Sequence, residues 1–162
     1  MFRGYWGKPE ETLEAFRNLR HHTGDLGYLD ADGLLHFVDR KKDSLPRRGE
    51  NISSVELEGA LAQFPGVREV AVHAVPSPLG EDDIKACLVL DGEPPEADDL
   101  FDFFKQHLPY YAIPRYVEYL DRLPRNAVGR LMKHQLRDRG VTAETVDLEA
   151  LGFSVAKAGR RR

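Results

Sequence analysis

One carboxylate in this sequence is placed where it could hold a ligand. Asp25 follows Gly24 in the stretch His-Thr-Gly-Asp-Leu-Gly-Tyr, at the start of a predicted strand, so its side chain would project from a firm backbone. A carboxylate in such a position is a good acceptor for a pair of sugar hydroxyls. A Gly-Asp pair in a turn more often makes only local hydrogen bonds, and on this motif alone both interpretations stay open.

Cysteine and histidine indicate no metal site. Cys87 is the only cysteine, which excludes a disulfide within the chain and almost excludes a cysteine-based zinc site. The histidines after residue 30 have no ligand spacing with one another or with a pair of carboxylates; they are His36, His73, His107 and His134. We therefore predict no metal ligands in this chain.

The first forty residues predict a short helix and a β-hairpin. Residues 9–20 begin with a proline and place apolar side chains on one helical face. Residues 25–29 and 34–38 read as strands joined by Asp-Ala-Asp-Gly, which is typical of a tight turn, so a hairpin is expected over 25–38. One helix and one hairpin bury little apolar surface, and we expect residues 1–39 alone to be disordered, swapped or packed against a neighbouring chain.

A run of five charges, Asp39 to Asp43, predicts an exposed joint and a domain boundary. After it, Ser53 and Glu56 have the spacing of a capping box and begin a helix. The pattern then predicts strands over 69–75, 84–90 and 116–120, a helix over 97–108 and a basic helical end over 131–137. This order favours an α+β fold in which helices pack on one face of a three-stranded sheet.

Composition narrows the class of protein further. The chain has 162 residues and a net charge of -4, while residues 125–162 carry nine Lys or Arg against four Asp or Glu. The basic tail Gly159–Arg162 has no interleaved aromatic residues and no nucleic-acid module beside it, so we predict no nucleic-acid partner. No apolar run approaches the roughly 18 residues that cross a bilayer, and the N-terminus lacks the apolar stretch of a signal peptide. These features predict a cytoplasmic protein.

Several short blocks occur in one order along the chain. They are Gly4-Tyr5-Trp6, Pro9-Glu10, His22-Thr23-Gly24-Asp25-Leu26-Gly27-Tyr28, Asp39-Arg40-Lys41-Lys42-Asp43 and Gly49-Glu50-Asn51-Ile52-Ser53. Together they resemble the late part of an AMP-forming acyl-CoA synthetase, from the superfamily of adenylating enzymes, over almost the whole chain. The last motif, Leu123 to Arg130, is similar to that of the carnitine and crotonobetaine CoA ligases. The resemblance implies an acid–thiol ligase that uses ATP, Mg²⁺ and coenzyme A.

The resemblance implies roles for residues on both sides of the joint. Asp25 matches the family's ligand for the ribose hydroxyls, and Arg40 matches an arginine that also contacts the nucleotide. Lys42 matches the hinge, whose backbone rotation moves the small domain between adenylate-forming and thioester-forming arrangements. Gly49, with Glu50 beside it, matches the loop that approaches the reaction centre during thioester formation. A glycine there lets a pantetheine arm pass close to the backbone, and a plain turn explains it equally well.

Basic residues depart from the family pattern. The family's final Pro-x-x-x-x-Gly-Lys motif ends in a lysine that stabilises the charge that builds up as a carboxylate attacks the α-phosphate. Arg130 stands at that position and keeps the charge, in a planar fork of different size and reach. Lys133 would share a face with Arg130 if the segment were helical, so either residue is a candidate catalytic cation. Arg47 and Arg48 either contact the phosphates of CoA or face solvent.

In this family, the phosphate-cradling loop and the pockets for adenine and the acyl group lie upstream of these blocks. No phosphate-cradling Gly-rich loop occurs here, so we predict the C-terminal fragment of an ATP-dependent, AMP-forming carboxylate–CoA ligase that is inactive alone. Residues 1–41 would be the end of the large adenylation domain and residues 42–162 the mobile C-terminal domain, with the hinge at 40–43. Its partners would be the missing N-terminal domain, a carboxylic acid and CoA, and a homo-oligomer stays open.

Two functions of other classes also stay open. A free-standing module would use its basic end to hold CoA or an acyl-carrier partner without turnover. A regulatory partner would dock on an intact ligase, and Arg130 in place of lysine is its only support in the sequence. Binding of CoA by the chain alone distinguishes the first, and altered activity of an added intact ligase distinguishes the second.

Overall fold

The chain divides into two compact units, and the division falls between Lys42 and Asp43 in the sequence. The structure is a computed structural model, and it describes residues 3–47, 49–77 and 80–154. Arg48 and the basic tail Gly159–Arg162, both singled out from the sequence, lie outside the described residues. Unit 1 is Met1–Lys42 and unit 2 is Asp43–Arg162.

Unit 1 contains one helix and one hairpin. Helix α1 spans Pro9–Ala15, a 3-10 turn follows at Arg17–Leu19, and strand β1, Asp25–Leu29, pairs antiparallel with β2, Leu35–Arg40. The helix ends earlier than predicted, because Phe16 already departs from helical geometry, with φ at -110° and ψ at 19°, and Asn18 then adopts a left-handed conformation, with φ at 56°. The strands come close at Gly27, where an added Cβ would lie 2.5 Å from the carbonyl oxygen of His36. Only glycine therefore fits that position.

The hairpin turn is closed by one carboxylate. Asp30 Oδ1 accepts hydrogen bonds from the backbone N–H of Asp32 at 3.0 Å and of Leu34 at 2.9 Å, while its Oδ2 lies 2.6 Å from His36 Nε2. The hydrogen bond from His36 holds the pKa of Asp30 below its ordinary value. The His36 ring also stacks on Tyr28, with 4.9 Å between the ring centres. Asp30 thus stabilises the predicted turn through hydrogen bonds with two backbone N–H groups and with the ring of His36.

Unit 2 is an α+β domain built on a four-stranded sheet. Its elements in chain order are β3 (Leu45–Arg47), β4 (Glu50–Ile52), α2 (Ser54–Leu61), β5 (Val67–Val75), β6 (Asp83–Leu90), α3 (Ala97–His107), β7 (Tyr116–Tyr119), α4 (Lys133–Arg139) and β8 (Val146–Asp147). The sheet order is β5-β6-β7-β8, with β6 and β7 parallel and the other pairs antiparallel. The α+β class is confirmed, and β8 adds a fourth strand to the three predicted. Two residues are too few for an alternating pattern to reveal β8.

Strand β6 is buried on both faces, and this decides where the helices pack. Ile84, Ala86 and Leu88 point into the core that α2 and α3 cover, and Cys87 and Val89 belong to a second core with Leu136 of α4. Helices therefore cover both faces of the sheet, not one as predicted. The apolar residues of β6 show no alternation because a doubly covered strand needs none.

Helix α2 begins at the predicted cap. Ser53 lies before the first helical residue, and its Oγ accepts a hydrogen bond from the backbone N–H of Glu56 at 3.3 Å. This bond satisfies one of the amides that have no partner inside the helix. Leu57 and Leu61 follow at helical spacing and are both buried, so cap and apolar pattern agree on the same element.

Charged side chains lie buried beneath α4, which the sequence pattern did not predict. Lys85 of β6 and Glu118 of β7 are 0% and 1% exposed, and Lys85 Nζ lies 2.6 Å from Glu118 Oε2. Arg139 of α4 contacts the other carboxylate oxygen at 2.7 Å, and Lys85 Nζ also donates to the carbonyl of Gly140 at 2.5 Å. Two cations therefore share one carboxylate, which ties the sheet to the end of α4.

His73 and Cys87 lie in the same buried region. The ring of His73 donates from Nδ1 to the carbonyl of Ala74 at 3.0 Å, and its Nε2 lies 3.8 Å from Cys87 Sγ. Burial lowers the pKa of His73, and the charges of Lys85 and Arg137 lower it further. Burial also raises the pKa of Cys87 to about 11. A neutral histidine that accepts from a protonated thiol satisfies both groups.

Acid should destabilise unit 2 through His73. The unfolded chain takes up a proton at His73 below about pH 6.5, the ordinary pKa, whereas the folded protein takes it up only at lower pH. Stability contributed by neutral His73 is therefore present above pH 6.5 and is lost as pH falls, with a slope approaching about 1.4 kcal/mol per pH unit. Urea unfolding of the wild type and of His73→Gln between pH 7.5 and 5 measures this. A stability difference that does not change with pH would contradict it.

Candidate functional site

The hairpin of unit 1 brings two of the predicted ligand-binding residues together. Asp25 in β1 and Arg40 in β2 are direct partners across the strands, and Arg40 Nε lies 3.2 Å from Asp25 Oδ1. Both side chains remain partly exposed, at 37% for Asp25 and 48% for Arg40. The backbone N–H of Asp25 donates to Thr23 Oγ1 at 3.1 Å, and this hydrogen bond closes the turn before the strand. The carboxylate thus stays available beside a cation at the strand end.

Lys42 is exposed and is the last residue of unit 1. The next residue, Asp43, is anchored inside unit 2, because its carboxylate lies 2.6 Å from Arg137 Nη1 of α4. The Asp43 side chain is only 13% exposed, and two residues later Leu45 is buried in the core. The fixed part of unit 2 therefore begins immediately after Lys42.

Loss of the Asp43 anchor should open the segment that precedes it. Residues 40–42 offer trypsin three basic cleavage sites, and cleavage requires the neighbouring backbone to leave its folded position. We expect Asp43→Asn to speed cleavage there about fivefold, since a partly buried ion pair contributes about 1 kcal/mol. Arg137→Met should have the same effect, and the double variant should add little. Asp91→Asn, which removes an exposed pair, serves as the control, and equal rates in all variants would contradict the anchor.

The predicted loop at Gly49 is the turn of a short hairpin. β3 and β4 pair on either side of it, and Gly49 has φ at 81°, which side-chain-bearing residues rarely adopt. Glu50 is exposed and lines a surface cavity of about 380 Å³ together with Asn51, Glu81 and Asp82. The backbone at Gly49 is open on its Cβ side, so another group can approach it closely.

Arg47 at the base of this hairpin is buried, at 7% exposure. It donates to the carbonyl of Ile113 at 2.7 Å and pairs with Asp83 at 3.0 Å. Asp83 also contacts Arg115, which pairs with Asp147 at 2.8 Å, and this contact holds the pKa of Asp147 below its ordinary value. Neither predicted alternative for Arg47, a phosphate contact or solvent exposure, fits this side chain, because β3 turns it into the domain.

Arg130 stands at the end of a tight exposed loop. The loop is closed by a bridge between Arg125 and Leu131, and Asn126 Oδ1 accepts from the N–H of Val128 at 3.1 Å and of Arg130 at 2.9 Å. Gly129 supplies the positive φ, 80°, that the turn requires. The backbone of Arg130 is therefore fixed while its side chain is exposed. Such a cation can meet an anion that approaches the loop.

Lys133 occupies a different environment from Arg130. It is the first residue of α4, so Arg130 lies before the helix and the two do not share a helical face. Lys133 Nζ lies 2.6 Å from Glu58 Oε1 and donates to Ser54 Oγ at 2.8 Å, and its side chain is 13% exposed. The ammonium of Lys133 thus has two partners on α2.

Comparison with known proteins connects these features. Residues 56–130 match the family model of the AMP-binding enzyme C-terminal domain. Residues 56–130 therefore belong to this domain family, and the chain is similar to AMP-forming CoA ligases. Its relatives include a feruloyl-CoA synthase of Amycolatopsis, 40% identical over 86% of this chain, and a long-chain-fatty-acid–CoA ligase of Escherichia coli, 38% identical over 83%. A crotonobetaine/carnitine–CoA ligase of Salmonella arizonae, from the group expected from the last motif, is 37% identical over 85%.

Solved structures of adenylate-forming enzymes share the fold. ATP-bound MatB from Rhodopseudomonas palustris matches 85% of this chain with a TM-score of 0.75 and 34% identity. The o-succinylbenzoate CoA synthetase MenE of Bacillus subtilis, in complex with its acyl-adenylate intermediate, matches 84% with a TM-score of 0.73 and 38% identity. The chain spans only 28% of the length of each of these two proteins, and 28% of the feruloyl-CoA synthase.

The described residues contain no candidate metal cluster and no membrane-spanning helix. No group of three or more His, Cys, Asp or Glu in the described ranges could hold a metal ion. No helix among the described residues is long and apolar enough to cross a membrane.

Proposed function

We propose that this chain is the C-terminal part of an ATP-dependent, AMP-forming carboxylate–CoA ligase. The observation that carries the proposal is the extent of the match to feruloyl-CoA synthase, which covers 140 residues of this chain at 40% identity. Unit 2 begins at residue 43, so a match of that length includes part of unit 1 as well. Yet it covers only 28% of the relative. Such a ligase forms an acyl–phosphate bond on ATP and releases pyrophosphate, and the CoA thiol then displaces AMP and loses its proton.

The geometry supports distinct roles for the predicted residues in this proposal. Asp25 would accept the two ribose hydroxyls, and Arg40 holds that carboxylate in place from the neighbouring strand while it contacts the nucleotide. Lys42 would be the pivot, because it is exposed and precedes the anchored Asp43. Gly49 and Glu50 would border the path of CoA at the open hairpin turn.

For the catalytic cation, we propose Arg130. Its side chain is exposed on a loop whose backbone is held by Asn126, whereas the Lys133 ammonium is engaged by Glu58 and Ser54. A guanidinium aimed at the α-phosphate would stabilise the charge that develops as the carboxylate attacks. The remaining phosphate contacts, and any Mg²⁺ bound with ATP, would come from the part of the ligase outside this chain.

The surface of unit 1 supports a missing partner domain. Large apolar side chains are exposed on both strands and around α1: Trp6 is 100% exposed, Leu35 77%, Leu13 74%, Leu29 68%, Leu34 62%, Phe37 59% and Tyr28 57%. An unpartnered apolar surface of this kind marks an interface. We propose that the large adenylation domain covers it in the complete ligase.

The buried free thiol of Cys87 fits a reducing compartment, and the cytoplasm remains the proposed location.

The test of this function is a fusion protein in which this chain replaces the matching C-terminal part of the Amycolatopsis feruloyl-CoA synthase. With ATP, ferulate and CoA, we expect the fusion protein to release AMP and form feruloyl-CoA, and the chain alone to release none. Asp25→Ala in the fusion protein should raise the KM for ATP at least tenfold, since it removes the ribose acceptor. A folded fusion protein without any AMP release would contradict the ligase proposal.

The chain alone and intact feruloyl-CoA synthase are sufficient to test the two other functions, a binding module and a regulatory partner. A stand-alone binding module would bind CoA in calorimetry without the rest of the ligase. A regulatory partner would change the rate of intact feruloyl-CoA synthase when added in excess. We expect neither effect from the chain alone.

A further inference from the structure

Lys133 sits where the Arg130 loop enters α4. The two ends of the loop are joined by the Arg125–Leu131 bridge and by a hydrogen bond from the N–H of Met132 to the carbonyl of Pro124 at 2.8 Å. Lys133 is the next residue. Met132 precedes the helix without any side-chain cap, so no capping bond fixes this end of α4. Any other contact that fixes the start of α4 therefore also fixes the base of the loop.

The Lys133 ammonium provides that contact. It lies 2.6 Å from Glu58 Oε1 and 2.8 Å from Ser54 Oγ, and both partners belong to α2, so the contact crosses between two helices. Ser54 is fully buried, and the side chains of Lys133 and Glu58 are 13% and 18% exposed. A pair so shielded from water is held more firmly than a surface ion pair.

Glu58 is itself fixed by the sheet. The same oxygen that meets Lys133 accepts a hydrogen bond from the backbone N–H of Val72 at 2.7 Å. Val72 belongs to β5, which is the edge strand of the sheet, and this bond occupies an amide on its outer side. The chain of contacts therefore runs from the sheet through Glu58 to Lys133 and the loop.

We propose that Lys133 is a positioning residue for Arg130, which it places by tying the base of the loop to Glu58 and Ser54. The inference rests on the proposed function, in which Arg130 meets the α-phosphate during acyl-adenylate formation. Lys133 itself contacts neither substrate. Its neutral replacement loosens the loop at its base, although the bonds within the loop remain, and leaves the Glu58 carboxylate without its cation. Arg130 then loses its fixed position when charge develops.

The fusion protein tests this by separating the two half-reactions. Lys133→Met should lower kcat for acyl-adenylate formation about 10- to 100-fold, because small displacements of a catalytic group have effects of that size. KM for ATP should stay within about twofold. Thioester formation from preformed feruloyl-adenylate should also stay within twofold, since Arg130 acts only in the first step. Lys133→Arg should retain most of the wild-type rate. Glu58→Gln should lower kcat as much as Lys133→Met does, and the double variant should be no slower than either single variant.

Arg130→Met in the same assay separates the two proposals. If Arg130→Met leaves adenylate formation unchanged, the proposed role of Arg130 is wrong. If Arg130→Met is impaired and Lys133→Met is not, only the positioning inference is overturned. Equal impairment of both half-reactions by Lys133→Met would also overturn it, because a general loss of structure does not select one step.

Amide hydrogen exchange on the chain alone gives a second readout that needs no activity. The amides of Val128 and Arg130 are bonded to Asn126 and should exchange at least fivefold faster in Lys133→Met. Amides in the centre of β6, such as that of Cys87, should not change and serve as the internal reference. Unchanged exchange at Val128 and Arg130 would overturn the inference.

Discussion

Glu118→Gln should lower the free energy of unfolding of unit 2 by about 3 to 5 kcal/mol, the usual cost of removing one partner from a buried ion pair. Glutamine keeps the size of the side chain but removes the charge that two cations share. Lys85, which is 0% exposed, would keep only neutral acceptors such as the carbonyl of Gly140, and Arg139 would lose its carboxylate. An uncompensated ammonium in a closed interior is among the most destabilising changes available to a small domain. Urea unfolding at pH 7 measures the loss.

The partner substitution should cost less. In Lys85→Met the carboxylate of Glu118 keeps Arg139 at 2.7 Å and Thr142 Oγ1 at 3.2 Å, so its charge stays compensated. The double variant Lys85→Met, Glu118→Leu removes both charges and should be closer to the wild type than Glu118→Gln alone, because apolar groups of similar volume replace buried pairs at little cost. The exposed change Asp102→Asn is the control. A loss from Glu118→Gln no larger than from Asp102→Asn would show that the pair contributes little.

Sequence patterns were sufficient for the long elements of this fold because each has enough residues to show its period. The capping box at Ser53 and the apolar spacing after it located α2, and the valine-rich stretch located β5. β3 has three residues with Pro46 at its centre, and β8 has two, so neither shows an alternating pattern. Their pairing depends on tertiary contacts that no local pattern records.

The burial of charged side chains was not predicted from these patterns, for a different reason. Most charged residues lie at the surface, so Lys85 and Glu118 were not singled out as buried from the sequence. A signal did exist, since each charge lies inside an apolar strand and the two have opposite sign. Pairing them required knowing that β6 and β7 are parallel neighbours, with Cys87 opposite Glu118. The separation of 79 positions between Lys133 and Ser54 likewise hid their contact.

Those parts of the candidate site whose residues lie close together in the sequence were easier to predict than those that depend on distant contacts. Asp25 and Arg40 belong to one hairpin, so their proximity follows once its turn is placed. The turn alone would set Asp25 opposite Asp39, and a register shift between Leu26 and Gly27 makes Arg40 the partner. Arg130 was predicted through its motif, whereas the hydrogen bonds to Asn126 and the positive φ of Gly129 that shape its loop were not predicted. The separate environments of Arg130 and Lys133 could not be predicted, because the start of α4 at Lys133 depends on contacts with α2.

Arg130→Met should lower the rate of acyl-adenylate formation by the fusion protein about 100- to 1,000-fold, the effect of losing one preorganised group that stabilises developing charge. The loop keeps its shape in this variant, because Asn126 Oδ1 bonds the backbone of residue 130 and not its side chain. The loss should therefore appear in kcat, with little change in the free energy of unfolding. Pyrophosphate exchange with ferulate and ATP measures the first step alone.

Two further variants decide whether charge or shape matters at this position. Arg130→Lys restores the residue that the family motif carries and should retain activity within about tenfold, because a point charge replaces the planar fork without loss of sign. Arg122→Met removes an exposed arginine outside the loop and should leave the rate unchanged. If Arg122→Met and Arg130→Met lower the rate equally, the general positive potential of this surface, and not a placed guanidinium, would account for catalysis. We expect the two variants to differ at least 50-fold, since a cation acts on a developing charge chiefly at contact distance.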